Sequence, residues 1–240
     1  MSSRVALVTG SSSGIGAEVA RRLAGDDFAV VVNSRISVEA GRAVAEEVAG
    51  IYLQADVGDP QAARRLVDQV LDLHGRLDVL VNNAGTTEVI PHADLVAATP
   101  DVWRRIYEVN VIAPFVLVTA AETALRAAAP GCVVNITSLA GVRPVGSSIP
   151  YAASKAALNH TTRLLAATLG PDVRVNAVAP GLVDTPWTAD WDTVREFVHA
   201  QAPMRRSASA GDVAEVVMGL VRSTYVTGEV VVVDGGLGLR

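Results

Sequence analysis

Short runs dense in β-branched residues alternate along the chain with longer, alanine-rich segments of helical character. The runs are RVALVT (4–9), FAVVVN (28–33), GIYLQA (50–55), LDVLVNN (77–83), GCVVNITS (131–138), VRVNAVAP (173–180) and EVVVVDG (229–235), which predict seven strands. Between them, helices are expected near 15–25, 37–49, 60–74, 100–129, 151–169 and 211–222. Continuous rather than alternating apolar strands suit a sheet covered on both faces, and β-α-β alternation makes that sheet parallel. No Pro/Gly-rich linker, repeat or low-complexity tract interrupts the pattern. The expected architecture is therefore α/β, a single doubly wound domain over 1–240, with helices on both faces of the sheet. Ligands in such a fold bind beyond the carboxyl ends of the strands.

Composition narrows the function. Half of the 240 residues are apolar and only 4% aromatic, so Ala, Val, Leu and Ile must fill the core. The formal charge of −5 and scattered Arg pairs leave no basic face for nucleic acid. Cys132 stands alone in an apolar run, which excludes a disulfide framework and predicts a buried, inert thiol. The four histidines show no ligand spacing, so no metal site is expected. VALV at the N-terminus is too short for a signal peptide. VIAPFVLVTAA (111–121) falls short of the roughly 20 residues that span a membrane and reads as a buried helix. A soluble, cytoplasmic protein is expected.

The chemistry-bearing motifs fall at strand ends. VTGSSSGIGAEVA follows the first strand, with Gly10, Gly14 and Gly16 spaced G-x-x-x-G-x-G. Glycines there permit a tight turn and close approach of backbone to a pyrophosphate at a helix N-terminus. QADVGDP places Asp56, with Val57 beside it, after the third strand, where a carboxylate can accept from an adenine amino group. VNNAG places Asn82, Asn83, Ala84 and Gly85 after the fourth; the amides can pin neighbouring loops and the small residues leave room for a ribose. Taken singly, each of these is equally readable as a turn or capping residue.

This glycine spacing, together with NNAG, Ser138, YAASK and APGLVDT, resembles the classical short-chain dehydrogenase/reductase family. The resemblance covers essentially the whole chain and leans toward the tetramer-forming branch that includes 3-oxoacyl-carrier-protein reductases. It implies hydride transfer between a nicotinamide cofactor and a carbonyl or secondary alcohol, with Tyr151 as general acid/base. The chain has 19 arginines but one lysine, Lys155, which stands at i+4 from Tyr151 on one helix face. A cation a few ångströms away lowers a tyrosine pKa from about 10, and a compact ammonium fits where a planar guanidinium does not. Ser138 is expected to hold the substrate oxygen. Asn110, an amide in an otherwise apolar helix, is expected to hold helix geometry and a water joined to Lys155. The resemblance assigns the cofactor to Gly10, Ser12, Ser13, Gly14, Ile15 and Gly16 at the first turn, and to Asn83, Ala84, Gly85, Tyr151 and Lys155 further on. Pro180, Gly181 and Leu182 would line the nicotinamide, with a backbone N–H from Val183 and a hydroxyl from Thr185.

Cofactor choice is read at the second strand end, VVNSRIS, where Asn33, Ser34 and Arg35 stand in place of the carboxylate usual for NAD. Arg35 can clamp a 2′-phosphate, although the other common basic position is Ser13 here. This points to NADP(H) ahead of NAD(H). Residues 184–210, with two Trp and one Phe, read as a lid over a partly apolar small-molecule substrate. Apolar helices at 100–129 and 151–169, with the tail EVVVVDGGLG, suggest a homo-oligomer, by resemblance a homotetramer. The alternatives are a catalytically silent dinucleotide-binding protein and an extended epimerase or dehydratase; the latter needs an added substrate domain that 240 residues cannot house.

Overall fold

The computed structural model describes residues 3–239. Its strands are β1 (Val5–Val8), β2 (Ala29–Ser34), β3 (Ile51–Gln54), β4 (Val79–Asn82), β5 (Gly131–Ile136), β6 (Val173–Pro180), β7 (Val183–Asp184), β8 (Ala208–Ser209) and β9 (Val230–Val233). Seven of them form one parallel sheet in the order β3-β2-β1-β4-β5-β6-β9, while β7 and β8 pair apart from it. The chain leaves β1 toward β2 on one side and returns to pair β4 on the other, with Leu7 opposite both Val31 and Leu80. A crevice opens at that reversal, beyond the carboxyl ends.

The continuous apolar strands divide by parity between two cores, because successive side chains point to opposite faces. Ala6 and Val8 join the layer under helices α1 (Gly14–Gly25), α2 (Val38–Glu47) and α8 (Ala210–Arg222). Val5 and Leu7 join the layer under α3 (Pro60–His74), α5 (Ala113–Ala127) and α6 (Ile149–Leu169). Cys132 is buried in the first layer, and burial pushes its thiol up to about 11, as expected of an inert core residue.

Two helices depart from their expected form. The segment expected as one helix over 100–129 is α4 (Pro100–Tyr107), a five-residue π-helical turn (Glu108–Ile112) and α5. The widened turn carries Asn110, and such turns gather at functional sites. By length and mean hydropathy this 28-residue run could cross a bilayer. Instead, Ala113, Val116, Leu117, Ala121 and Leu125 pack into the core. Helix α6 begins two residues earlier than expected, at Ile149, because Ser148 Oγ caps it and Pro150 occupies its first turn. Tyr151 therefore sits in the first turn of α6, where it lines the crevice.

The segment expected as a lid leaves the sheet after β6. The short ribbon of β7 with β8 closes its base. Between these strands lie a 3-10 turn (Pro186–Thr188) and helix α7 (Asp192–Gln201).

Candidate active site

The crevice is a cleft of about 1240 Å³ running from the end of β2 to the lid. At its centre is the turn into α1. Gly10 and Gly14 both have φ near +60° (62° and 56°), and a Cβ on Gly10 would lie 2.8 Å from Ala84 Cα. Ser12, Ser13 and Ile15 line the cleft beside them. Ser13 caps α1 without a side-chain bond, so its hydroxyl does not compete for the first-turn N–H groups. Gly16 is placed differently from expectation: it faces away from the cleft, where a Cβ would strike Asn83 Nδ2 at 2.5 Å and Gly10 O at 2.6 Å. It lets the helix seat against the Asn83 loop.

Asn83 pins that loop as its amide chemistry suggests, donating to Thr9 O and Gly10 O at 2.9 Å each. Thr9 Oγ1 accepts from the Asn83 and Ala84 amides in return. Sequence reasoning misses Thr9; its position directly before the first glycine is the only signal. Ala84 and Gly85 line the cleft. A Cβ on Gly85 would make ordinary contacts with Asn110 Oδ1 at 3.4 Å, Lys155 Nζ at 3.6 Å and the edge of the Trp187 ring at 3.7 Å, so glycine there leaves that space to the cleft.

At the β2 end, the residues expected to meet a cofactor line the cleft, yet two commit their side chains elsewhere. Asn33 Nδ2 donates to Leu53 O and Ala55 O across to β3, at 3.1 and 3.2 Å. Ser34 Oγ bonds Ser37 O and the Tyr52 hydroxyl. Arg35 is the exposed member, its guanidinium 3.6 Å from Asp56 Oδ2. The other Asp56 oxygen accepts from Gly58 N at 2.9 Å, and Val57 lines the wall between them.

On the floor, Ser138, Tyr151 and Lys155 converge. Ser138 ends the β5 segment and caps a 3-10 turn (Leu139–Gly141) through Ala140 N at 3.1 Å. Its hydroxyl also stands near enough to the Tyr151 phenol to pull that group's pKa down. Lys155 is buried and donates to Ile136 O at 2.9 Å. Burial lowers its ammonium to about 8. Burial is also the largest influence on Tyr151, raising its phenol above the ordinary value, with the Ser138 hydroxyl pulling back. The lowering expected from the Lys155 cation does not appear: Nζ is 5.7 Å from the ring centroid, and desolvation outweighs any attraction.

Asn110 stands behind this floor, fully buried. Its Oδ1 accepts from Thr86 N at 2.8 Å, and its Nδ2 donates to Thr86 O at 2.9 Å and Ser154 Oγ at 3.0 Å. The π turn thus carries an amide that fastens the loop after Gly85 to α6, one residue from Lys155. Ser154 is a second residue that sequence reasoning misses, although it sits inside YAASK. Pro180, Gly181, Leu182, Val183 and Thr185 form the wall opposite the α1 turn, with Thr185 side-chain carbons 3.2–3.3 Å from a Cβ built on Gly14. Among the described residues no cluster of His, Cys, Asp and Glu is arranged to hold a metal.

The chain resembles known proteins over nearly its whole length. Residues 10–238 match the family model described as enoyl-(acyl carrier protein) reductase. The chain is 56% identical over 239 residues to the Streptomyces violaceoruber protein called "Granaticin polyketide synthase putative ketoacyl reductase 2", covering 98% of this chain and 96% of that one. It is 36% identical over 250 residues to dehydrogenase/reductase SDR family member 4 of Sus scrofa, covering 100% and 89%. Among solved structures, the Pseudomonas aeruginosa RhlG/NADP active-site complex superposes with a TM-score of 0.90 at 33% identity, covering 98% of this chain and 96% of that one. On the family match and these relatives, the chain belongs to the short-chain dehydrogenase/reductase family of oxidoreductases.

Proposed function

We propose that the protein is an NADP(H)-dependent reductase that converts a ketone, of the 3-oxoacyl thioester kind or a related one, to a secondary alcohol. The observation that carries this reading is the convergence of Ser138, Tyr151 and Lys155 on the floor of the dinucleotide-shaped cleft. A silent dinucleotide sensor has no use for a phenol, a hydroxyl and a buried ammonium meeting at that point.

The residues present fit a dinucleotide. Gly10 and Gly14 let the first turn close tightly against Ala84 and Thr185, and Gly85 leaves the floor beside Lys155 without a β-carbon. The first turn of α1 offers N–H groups to a pyrophosphate, and Lys155 Nζ, with one donor spent on Ile136 O, has two left for ribose hydroxyls. The nicotinamide supplies the hydride. Tyr151 gives its phenolic proton to the carbonyl oxygen, which the Ser138 hydroxyl holds by a second hydrogen bond. An ordinary tyrosine is protonated at neutral pH and burial moves Tyr151 further up, so the phenol is in the form that donates to a carbonyl oxygen. Asn110 keeps the Gly85–Thr86 backbone and Ser154 in register with this floor. Arg35 favours NADP(H): it is the exposed cation at the β2 end, no carboxylate precedes it on that strand, and the RhlG relative was solved with NADP.

An oligomer belongs to the same reading. Ile112 and Phe115 beside the π turn and Leu164 on α6 are exposed, and the sheet ends at β9 with Val232 outward on an uncovered edge. A homotetramer covers both surfaces. Light scattering at micromolar concentration should give four chains per particle, and a monomer would remove this part of the proposal.

Tyr151→Phe should lower kcat for ketone reduction by about 100-fold or more, the contribution of a general acid, with little change in NADPH affinity. Loss of less than about tenfold would mean another group delivers the proton. Lys155 keeps its charge below about pH 8 and loses it above, since burial lowers its pKa. NADPH affinity, measured by fluorescence titration, should therefore be full below that pH and weaken as pH rises through it. In Lys155→Met it should be weak and nearly flat across the same range; a parallel fall in both proteins would assign the titration elsewhere. Arg35→Ala should weaken NADPH by roughly 10- to 150-fold, the range for a hydrogen bond to a charged partner of about 1.5–3 kcal/mol, while NADH barely changes. Equal losses for both cofactors would refute the NADP assignment.

A further inference from the structure

We infer that the substrate half of the cleft takes a ketone carried on a flat, uncharged, largely apolar ring frame; this inference rests on the ketone-reductase reading above. Aromatic residues make up 4% of the chain, with three Trp and three Phe in all. Two of those Trp and one Phe, Trp187, Trp191 and Phe197, fall in the lid, and all three line the cleft. On α7 the apolar positions Val194, Phe197 and Val198 form one stripe at helical spacing, running on from Trp191. Val198 is only 3% exposed and anchors the helix, whereas Val194 and Phe197 are 44% and 58% exposed.

The rotation of α7 is fixed. Arg195 donates to Asp184 Oδ1 and Thr188 O at 3.0 Å each, so the stripe is held toward the cleft rather than turned into a core. The same cleft is also lined by Val89, 67% exposed, with Ile90 and Val145 from the loop after β4 and the segment before α6. That wall is itself braced, by the Thr87 and Ser147 hydroxyls at 2.6 Å and by Ile90 N donating to Ser147 O at 2.8 Å. Two braced apolar walls, one of them aromatic, make a slot for a flat apolar body, because ring faces stack and apolar area is removed from water.

Charge argues the same way. The arginine on this side of the cleft, Arg105, is paired with Glu88, and His92 is the other basic side chain lining it. Asp190 adds a negative charge on the lid side. A phosphate or carboxylate on the substrate would have to compete with Glu88 for that arginine, and a polyol would set hydroxyls against the apolar walls. The cleft of about 1240 Å³ exceeds the roughly 300–1,000 Å³ of ordinary ligand pockets, so a dinucleotide leaves room for a sizeable second molecule.

The test is a steady-state comparison with NADPH of 1-tetralone, acetoacetyl-N-acetylcysteamine, butanone and dihydroxyacetone phosphate. The fused-ring ketone should exceed butanone in kcat/KM by about 100-fold, as expected for burying a ring system, and dihydroxyacetone phosphate should be the poorest. In Phe197→Ala the ratio of 1-tetralone to butanone should fall about tenfold, with Phe197→Leu between, consistent with loss of stacking beyond area alone. The NADPH dissociation constant of each variant reports that it remains folded. A preference for the open-chain thioester or the phosphate, or a ratio unmoved by Phe197→Ala, overturns this inference and leaves ketone reduction standing. No turnover of any ketone overturns the reductase reading itself, and this inference with it.

Discussion

A buried ammonium fixes the architecture of this site. Removing the Lys155 cation from water costs several kcal/mol unless partners offset it, and that cost appears as a pKa lowered to about 8. Its partner within the chain is Ile136 O, the last carbonyl of β5, so α6 and β5 must keep a fixed separation. The surrounding backbone enforces it. Gly141 approaches α6 so closely that a Cβ would lie 2.6 Å from the Lys155 carbonyl carbon, and Asn159 Nδ2 ties α6 to Gly141 O at 3.0 Å. Ser154, the preceding residue, is held by Asn110 from the π turn. The helix break, the glycine contact and the strand end thus all serve the placement of one charge.

The sheet supplies the rest of the site by topology. Since β1 sends its chain one way and β4 lies on its other side, the loops after these two strands splay apart, and the cleft forms between them. What stops the gap from widening is polar. Thr9 and Asn83 exchange hydrogen bonds across it, and Gly10 meets Ala84 backbone at a distance that excludes any side chain. A groove built this way is rigid along its floor, and its lid is held by the short ribbon of β7 and β8, the bonds of Arg195 and Met204 N donating to Gly235 O at 3.1 Å.

Much of this is legible in the sequence because parallel sheets demand unbroken apolar strands, and their ends carry the motifs. All seven strands of the sheet and the glycine turn can be placed from the residues, as can Tyr151 and Lys155 on one helix face. What escapes is information held between distant segments. That Asn33 and Ser34 spend their side chains on β3 depends on residues about 20 positions away, and nothing local distinguishes a strand-end amide facing a ligand from one facing a neighbouring strand. The π turn is hidden because one extra residue in a helix barely disturbs an apolar pattern; its trace is the lone Asn110. Helix α7 shows weak periodicity for a different reason: its apolar stripe meets a cleft, so no core selects it. Lowering of the Tyr151 pKa by Lys155 is an expectation from spacing alone, and spacing does not report desolvation, which here is the larger effect.

The contrast between two buried cations explains why a chain so rich in arginine keeps one lysine. Arg174 is also buried, and it donates to Leu220 O, Val221 O and Val226 O at 2.8, 3.0 and 3.4 Å. Its fork is turned to the end of α8, where fixed, divergent donors match several carbonyls at once, though its Nε is left without a partner. A guanidinium at position 155 would face one carbonyl, Ile136 O, in a floor kept open by the absent side chain of Gly85, and its remaining donors would point where the fork dictates. The ammonium spends one hydrogen on that carbonyl and rotates the other two into the cleft. At these two buried positions arginine serves where the fold itself consumes the donors, and lysine where two donors stay unspent for a ligand.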